Sequence, residues 1–263
     1  MIVVGERLNS SRKPVLQALK KKDRRFLIEE ALQQEQAGAN YVDLNTAALL
    51  DKEIETLKWA IPLLQEKLSI PLSIDTPNPL AMEEGLKIHQ GRALLNSLSG
   101  EKKIIKNLLP LIKEYRPSVI ILCLDEKGLP ESPEHVLSIA SRMVDLLDKK
   151  GIDIDDIFID PLVHPVSIDS DAALRFLESL RRIKERLPEV KTIAGLSNIS
   201  FGLPQRRLLN RIFLSIALLN GLDAAILNPL DDELRDSIAA TEALLGKDPS
   251  LQSYLRETKK KGK

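Results

Sequence analysis

Carboxylates and amides close the apolar runs of this 263-residue chain. Glu6 and Asn9 stand at the end of the first run, and Asp43 with Asn45, Asp75, Asn96, Asp125, Asp160, Ser197 with Asn198, and Asn228 end the others. No Lys, His or Cys holds such a position, so a Schiff base, a thiolate attack or a histidine-ligated metal would lack its essential group. Acids and amides together suit a different task. A carboxylate accepts two N–H donors side by side, and an Asn amide both donates and accepts. Such a set can hold a ring that displays several N–H groups beside one or two acceptors.

The runs that carry these residues are short and rich in aliphatic side chains: "MIVVGE" (1–6), "NYVDLN" (40–45), "PLSIDT" (71–76), "RALLNS" (92–97), "SVIILCLD" (118–125), "DIFIDP" (156–161), "KTIAGLSN" (191–198) and "DAAILNP" (223–229). Between them, 52–68, 104–115, 135–147 and 172–187 repeat apolar residues at helical spacing. Strict strand–helix alternation implies parallel pairing, and strands apolar on both sides imply burial on both faces. Eight such units predict an α/β fold, a single (β/α)8 TIM barrel over residues 1–250, followed by a basic, frayed tail at 251–263. An open doubly wound sheet would be expected to carry G-x-G-x-x-G after its first strand; neither that nor the phosphate loop G-x-x-x-x-G-K-[ST] is present. In a barrel the functional groups gather at the C-terminal ends of the strands, which draws the residues named above to one mouth.

Composition narrows the function further. Hydrophobic residues make up 43% of the chain but aromatics only 3%, so Leu, Ile, Val and Ala must fill the core. Basic and acidic residues balance at 38 each, which argues against nucleic acid or an anionic membrane as the partner. The one cysteine, Cys123, sits in an apolar run and reads as a buried thiol. No stretch approaches the ~20 apolar residues of a membrane span, and the first apolar run is too short for a signal sequence. A cytoplasmic protein is expected. His89 and His135 fall on predicted helices as surface or packing residues and Trp59 as a packing residue, while His164, after the sixth run, could border the mouth. Asp153, Asp155 and Asp156 precede the sixth strand, hence the opposite rim, and lack the Gly and Glu of a calcium loop. No metal site is predicted.

Helix capping is the competing job for Asp and Asn at strand ends. Asn78 before Pro79 is the better cap for the helix after Asp75, which leaves Asp75 free. Ser97 or Ser99 can cap after Asn96, Ser170 or Asp171 after Asp160, and Asp231 or Asp232 after Asn228. The acids and amides so released would face a common cavity. Pterins and some purines present the matching edge; sugars and hydroxy acids use the same groups.

"GERLN" (5–9), "YVDLNTA" (41–47), "SIDTPNP" (73–79), "NSLSGE" (96–101), "IDPLVHPV" (159–166), "GLSNISFG" (195–202) and "LLNRIFLSIALLNGLDAAILNP" (208–229) resemble, in order and over nearly the whole chain, the pterin-binding barrel of methyltetrahydrofolate:corrinoid methyltransferases. The resemblance implies a homodimeric TIM barrel that moves a methyl group between methyltetrahydrofolate and the cobalt of a corrinoid (cobalamin) on a separate protein, such as a corrinoid iron–sulfur protein. It implies that Asn198 is the catalytic group at N5, that Asp75, Asn96 and Asp160 hold the pterin edge, and that Gly195, Ser197 and Ile226 line the ring pocket. Glu6, Asn9, Asp43 and Asn45 take supporting places, and Arg206 falls where the family keeps an Arg. Phe201 stands where better-known members carry Gln, which removes a hydrogen bond to the pterin. No D-x-H-x-x-G corrinoid signature occurs in the chain, so the cobalt is expected on the partner. Two alternatives remain at this stage. A dihydropteroate synthase-like enzyme would need an anion site near strands seven and eight and a closing Arg-x-His, which "GLSNISFGLPQRR" and "AAILNPLDD" lack. The other is a folate-binding subunit without turnover.

Overall fold

Each apolar run forms one strand of a closed barrel in which every strand pairs in parallel with its sequence neighbours and the eighth returns to the first. The computed structural model describes residues 1–261, with side chains through Glu257. The strands are β1 Ile2–Asn9, β2 Tyr41–Asn45, β3 Leu72–Asp75, β4 Leu94–Ser99, β5 Ser118–Leu122, β6 Ile157–Asp160, β7 Lys191–Gly195 and β8 Ala224–Leu227. The helices are α1 Lys13–Lys21 and α2 Arg24–Gln36, both between β1 and β2, then α3 Glu53–Gln65, α4 Pro79–Ile88, α5 Lys102–Tyr115, α6 Pro133–Asp148, α7 Ala172–Arg186, α8 Arg206–Leu219, α9 Asp232–Leu244 and α10 Gln252–Lys261. No helix among the described residues is long and apolar enough to cross a membrane.

The core has two layers, as parallel strands buried on both faces require. Val4, Leu94, Ile120, Phe158, Ile193 and Ala224 fill the barrel interior. Outside it, Leu44, Ile74, Leu95, Ile121 and Ile159 of the strands meet Leu57, Ile61, Met82, Ile112 and Met143 of the helices. Cys123 is buried and Trp59 packs against this layer. His89 closes α4, where its Nε2 accepts the N–H of Leu72 at 3.2 Å. That contact is structural.

Local signals explain several boundaries. Asn78 accepts the N–H of Leu80 at 3.1 Å and Pro79 opens α4, while Asp231 accepts the N–H of Leu234 at 3.2 Å to start α9. The helix after Asn96 behaves otherwise: Glu101, not Ser97 or Ser99, is its N-cap residue, and Ser99 donates to the Glu101 carboxylate at 2.7 Å. Residues 252–261, expected to fray, are helical. Asp248 accepts the N–H groups of Ser253 and Tyr254 at 3.1 and 2.9 Å, and Arg235 of α9 reaches Glu257 at 3.6 Å. A cap and an ion pair thus hold a segment that its charge alone would leave in water.

Candidate active site

A cavity of about 530 Å³ opens at the C-terminal ends of the strands, a size typical of small-molecule sites. Of the residues proposed from sequence, Glu6, Asn9, Asp43, Asp75, Asn96, Asp160, Gly195, Ser197, Asn198, Arg206 and Ile226 line it. Asn45 and Phe201 do not.

The floor is a linked set of acids and amides from adjacent strands. In-register pairing sets Asn45 beside Asp75 and Asp75 beside Asn96. Asn45 Nδ2 donates to Asp75 Oδ2 at 2.8 Å, and Asn45 Oδ1 accepts from Ser10 Oγ at 3.0 Å. Asn45 therefore aims Asp75 from outside the cavity. Ser73 Oγ and Asn96 Nδ2 donate to Asp43 Oδ1 at 2.6 and 3.2 Å. Burial, and then the charge of Asp75, pushes the Asp43 carboxyl well above the usual carboxylate range against those two hydrogen bonds. Burial also raises Asp75, opposed by the Asn45 amide. Two like charges so close in a buried floor favour retention of a proton, and Asp43, the more buried, holds it. Asp75 then carries the charge toward the cavity, where paired N–H donors would meet it.

Across the mouth, Asp160 ends β6 and accepts the N–H of Leu162 at 2.8 Å. Burial pushes its carboxyl up to about 7, so near neutrality it can donate or accept. Glu6 is likewise raised by burial, against a hydrogen bond from Ser197 Oγ at 3.1 Å and the nearby guanidinium of Arg206.

Asn198 lies in a 3-10 turn, Leu196–Ser200, that continues directly from β7. The turn is clasped from α8: Arg206 donates through Nη2 to the Ser197 carbonyl at 2.7 Å and through Nε to Ser200 Oγ at 3.1 Å, and Ser200 Oγ donates to Asn210 at 2.7 Å. Asn198 itself is exposed, and its side-chain amide makes no hydrogen bond among the described residues. Arg206 positions the turn; Asn198 keeps both polarities of its amide for whatever enters.

Two expectations are corrected. Asp125 does not reach the mouth, because β5 stops at Leu122; Asp125 instead accepts the N–H of Lys127 at 2.9 Å and lies 3.7 Å from Arg142. His164 does not line the main cavity but a small recess with Pro161 and Phe176. Phe201 is exposed and lies outside the cavity lining. The cavity also takes Arg7, Ser11 and Arg12 from β1 and the loop after it, Leu122 from β5, Leu162 and Val163 from the loop after β6, and Asn228 after β8. Leu122 was hidden because the apolar run continues past the true strand end, and Arg12 because a loop arginine carries no pattern. Among the described residues no group of three or more His, Cys, Asp or Glu is arranged to hold a metal ion.

Residues 5–228 match the family described as pterin binding enzyme. The methylcorrinoid:tetrahydrofolate methyltransferase of Eubacterium limosum is 34% identical over 256 residues, covering 97% of this chain and 94% of that protein. The chain is a methyltransferase of the pterin-binding enzyme family. Methionine synthase of Mycobacterium tuberculosis is 29% identical over 241 residues, 87% of this chain but only 20% of that much longer protein. Among solved structures, dihydropteroate synthases of Xanthomonas albilineans (TM-score 0.72, 18% identity, 93% of each chain) and Yersinia pestis (TM-score 0.71, 13% identity, 93% of this chain and 94% of that chain) share the fold. At such identity the likeness of this methyltransferase to them is one of fold alone.

Proposed function

We propose that this methyltransferase moves a methyl group between the cobalt of a corrinoid carried by a separate protein and N5 of tetrahydrofolate, and that Asn198 acts at N5. The observation that carries the reading is the uncommitted Asn198 amide at the mouth of a cavity floored by Asp75, Asn96 and Asp160. In this reading the three floor residues hold the N–H-rich edge of the pterin and fix its plane, Gly195, Ser197 and Ile226 bound the ring, and N5 is left beside Asn198.

In the direction named for the E. limosum relative, the N5 lone pair attacks the methyl carbon, the carbon–cobalt bond breaks with its electron pair on cobalt, and N5 becomes a positively charged N–H centre that later releases its proton. The Asn198 carbonyl accepts from that N–H as the charge grows. In the reverse direction the same amide stabilises protonated N5 as it departs. An amide does not titrate, so it favours the transition state over the ground state by hydrogen bonding alone, an effect of roughly 2–4 kcal/mol for a well-placed group. Cobalt(I) is itself the strong nucleophile or the leaving group, which accounts for a strand-end set without Lys, His or Cys. The working form is a homodimer in the cytoplasm.

Asn198→Ala is expected to lower methyl transfer between free methylcobalamin and tetrahydrofolate at least tenfold while folate affinity falls less. Equal loss in rate and affinity would reduce Asn198 to a binding residue. Wild-type protein that binds folate with no methyl transfer would favour the silent subunit.

A further inference from the structure

Charge is unevenly spread around the cavity. Asp43, Asp75 and Asp160 bring acids to it from β2, β3 and β6, whereas the cations that line it, Arg7, Arg12 and Arg206, come from β1, the loop after β1 and the start of α8. In the closed strand order, β3 and β4 stand across the barrel from β7 and β8, and β8 adjoins β1. The cations therefore gather on the side of Asn198 and away from Asp75 and Asn96. Ser197 Oγ donates to Glu6 at 3.1 Å, which ties the end of β1 to the turn that carries Asn198.

The three guanidiniums differ in what they have left to give. Arg206 spends Nε and Nη2 on the β7 turn, and Arg7 spends Nε on Glu30 of α2. Arg12 shares Nη1 between the Arg7 carbonyl and Glu30, the latter at 3.2 Å, while its Nε and Nη2 make no hydrogen bond among the described residues. Those two N–H groups form one side of the guanidinium, the fork that takes a carboxylate through two parallel hydrogen bonds. The backbone fixes the residue: Asn9 Oδ1 accepts the N–H of Ser11 at 2.9 Å, and the Asn9 carbonyl accepts the N–H of Arg12 at 3.0 Å. Arg12 is also the N-cap residue of α1, with no side-chain cap hydrogen bond, at a position where Ser, Asp or Asn would stabilise the helix. Glu30 answers two guanidiniums at once, and Glu6 is already bonded to Ser197. Positive charge is left over on this side of the cavity.

We propose that Arg12 grips a glutamate carboxylate of the tetrahydrofolate tail through Nε and Nη2, and so sets a preference for the tailed folate over a bare tetrahydropterin. The inference rests on the methyl-transfer reading above. In tetrahydrofolate the p-aminobenzoyl-glutamate tail hangs from C6, the carbon bonded to N5. With the N–H-rich edge on Asp75 and Asn96 and N5 beside Asn198, C6 lies at the β7 side of the mouth, and the tail leaves past Ser197 and Glu6 toward Arg12. The p-aminobenzoyl amide that spans this distance is uncharged, so the glutamate carboxylates are the anions that arrive. Arg12 is half-exposed, and the pair it forms is therefore sensitive to salt.

The test measures binding, by anaerobic calorimetry, of two ligands to wild type and to Arg12→Gln: tetrahydrofolate, and 6-methyltetrahydropterin, which keeps the ring and N5 but lacks the tail. Wild type is expected to bind tetrahydrofolate about tenfold more tightly at low salt, and that preference should shrink as salt rises. In Arg12→Gln the preference is expected to fall about fivefold, through Kd for tetrahydrofolate, and in Arg12→Lys, which keeps the charge without the fork, by less. Glu30 retains Arg7 as its partner in either variant, so neither leaves a lone buried charge. A preference unchanged in Arg12→Gln, or an equal loss on both ligands, would overturn the carboxylate subsite. A wild type with no preference for the tail, or with one that salt does not touch, would overturn it without any variant and leave methyl transfer standing. Wild-type protein that binds neither ligand would instead strike at the methyl-transfer reading and take the subsite with it.

Discussion

Burial of Asp160 sets charge against fold. Its carboxyl rises from an ordinary 3.8 to about 7 on folding, so between those values the folded chain keeps a proton that the unfolded chain has lost. Stability must then fall as pH rises through this window, by up to about 1.4 kcal/mol per unit from this group, and level off above it. Asp160→Asn is expected to remove that slope: its urea midpoint should fall less than wild type between pH 4 and 7. A ring edge of N–H donors prefers the carboxylate, so tetrahydrofolate affinity of the wild type should tighten toward pH 7 and then plateau, while the variant binds more weakly and without that component. A variant with the wild-type pH slope in both titrations would refute the assignment. Asp160 was legible in sequence because it ends its apolar run where the strand ends. Asp125 looked the same and is not part of the site, since the apolar letters of its run continue past the end of the hydrogen-bonded ladder. Residue type at a run's end is informative only when pairing ends there too.

At the scale of elements, the junction of β7 with its 3-10 turn decides where the Asn198 amide sits. A Cβ added at Gly195 would stand 3.0 Å from Asn198 Nδ2, too close unless the amide shifts. The backbone of Gly195 has φ −72°, which suits alanine, so the consequence is positional and not one of folding. Gly195→Ala is expected to keep its thermal midpoint and to lose several-fold more in single-turnover methyl transfer than in folate affinity. Equal losses would mean that the methyl group merely crowds the ring. The glycine is visible in the sequence, but its reason is not, because the contact runs from strand to turn. The same contrast separates the caps. Asn78 and Asp231 were readable, since each needs only the N–H two or three residues on. The Arg206 clasp on Ser197 and Ser200 depends on how α8 is docked, which no local pattern encodes.

For the whole molecule, strand count and alternation were enough to specify the barrel, because a parallel sheet with helices on its outer face leaves few ways to bury eight apolar strands. What lies outside that barrel was less legible, and α8 is the sharpest case. It buries Phe213, Leu214, Ala217 and Leu218 against the barrel, yet also exposes Leu208, Ile212, Ile216 and Leu219 at spacings of four, four and three, a second apolar stripe facing away from its own core. A helix apolar on two faces is expected to be covered on both. A second copy of the chain can present the same stripe across a two-fold axis, where like residues meet like, and this is the surface that the proposed homodimer would use. Sedimentation at micromolar concentration should then give the dimer mass for the wild type and the monomer mass for Ile212→Glu combined with Ile216→Glu. The circular dichroism of that variant should stay native, because both side chains leave the barrel-facing side of α8 intact. A wild-type monomer, or a double variant that remains dimeric, would remove this stripe as the interface.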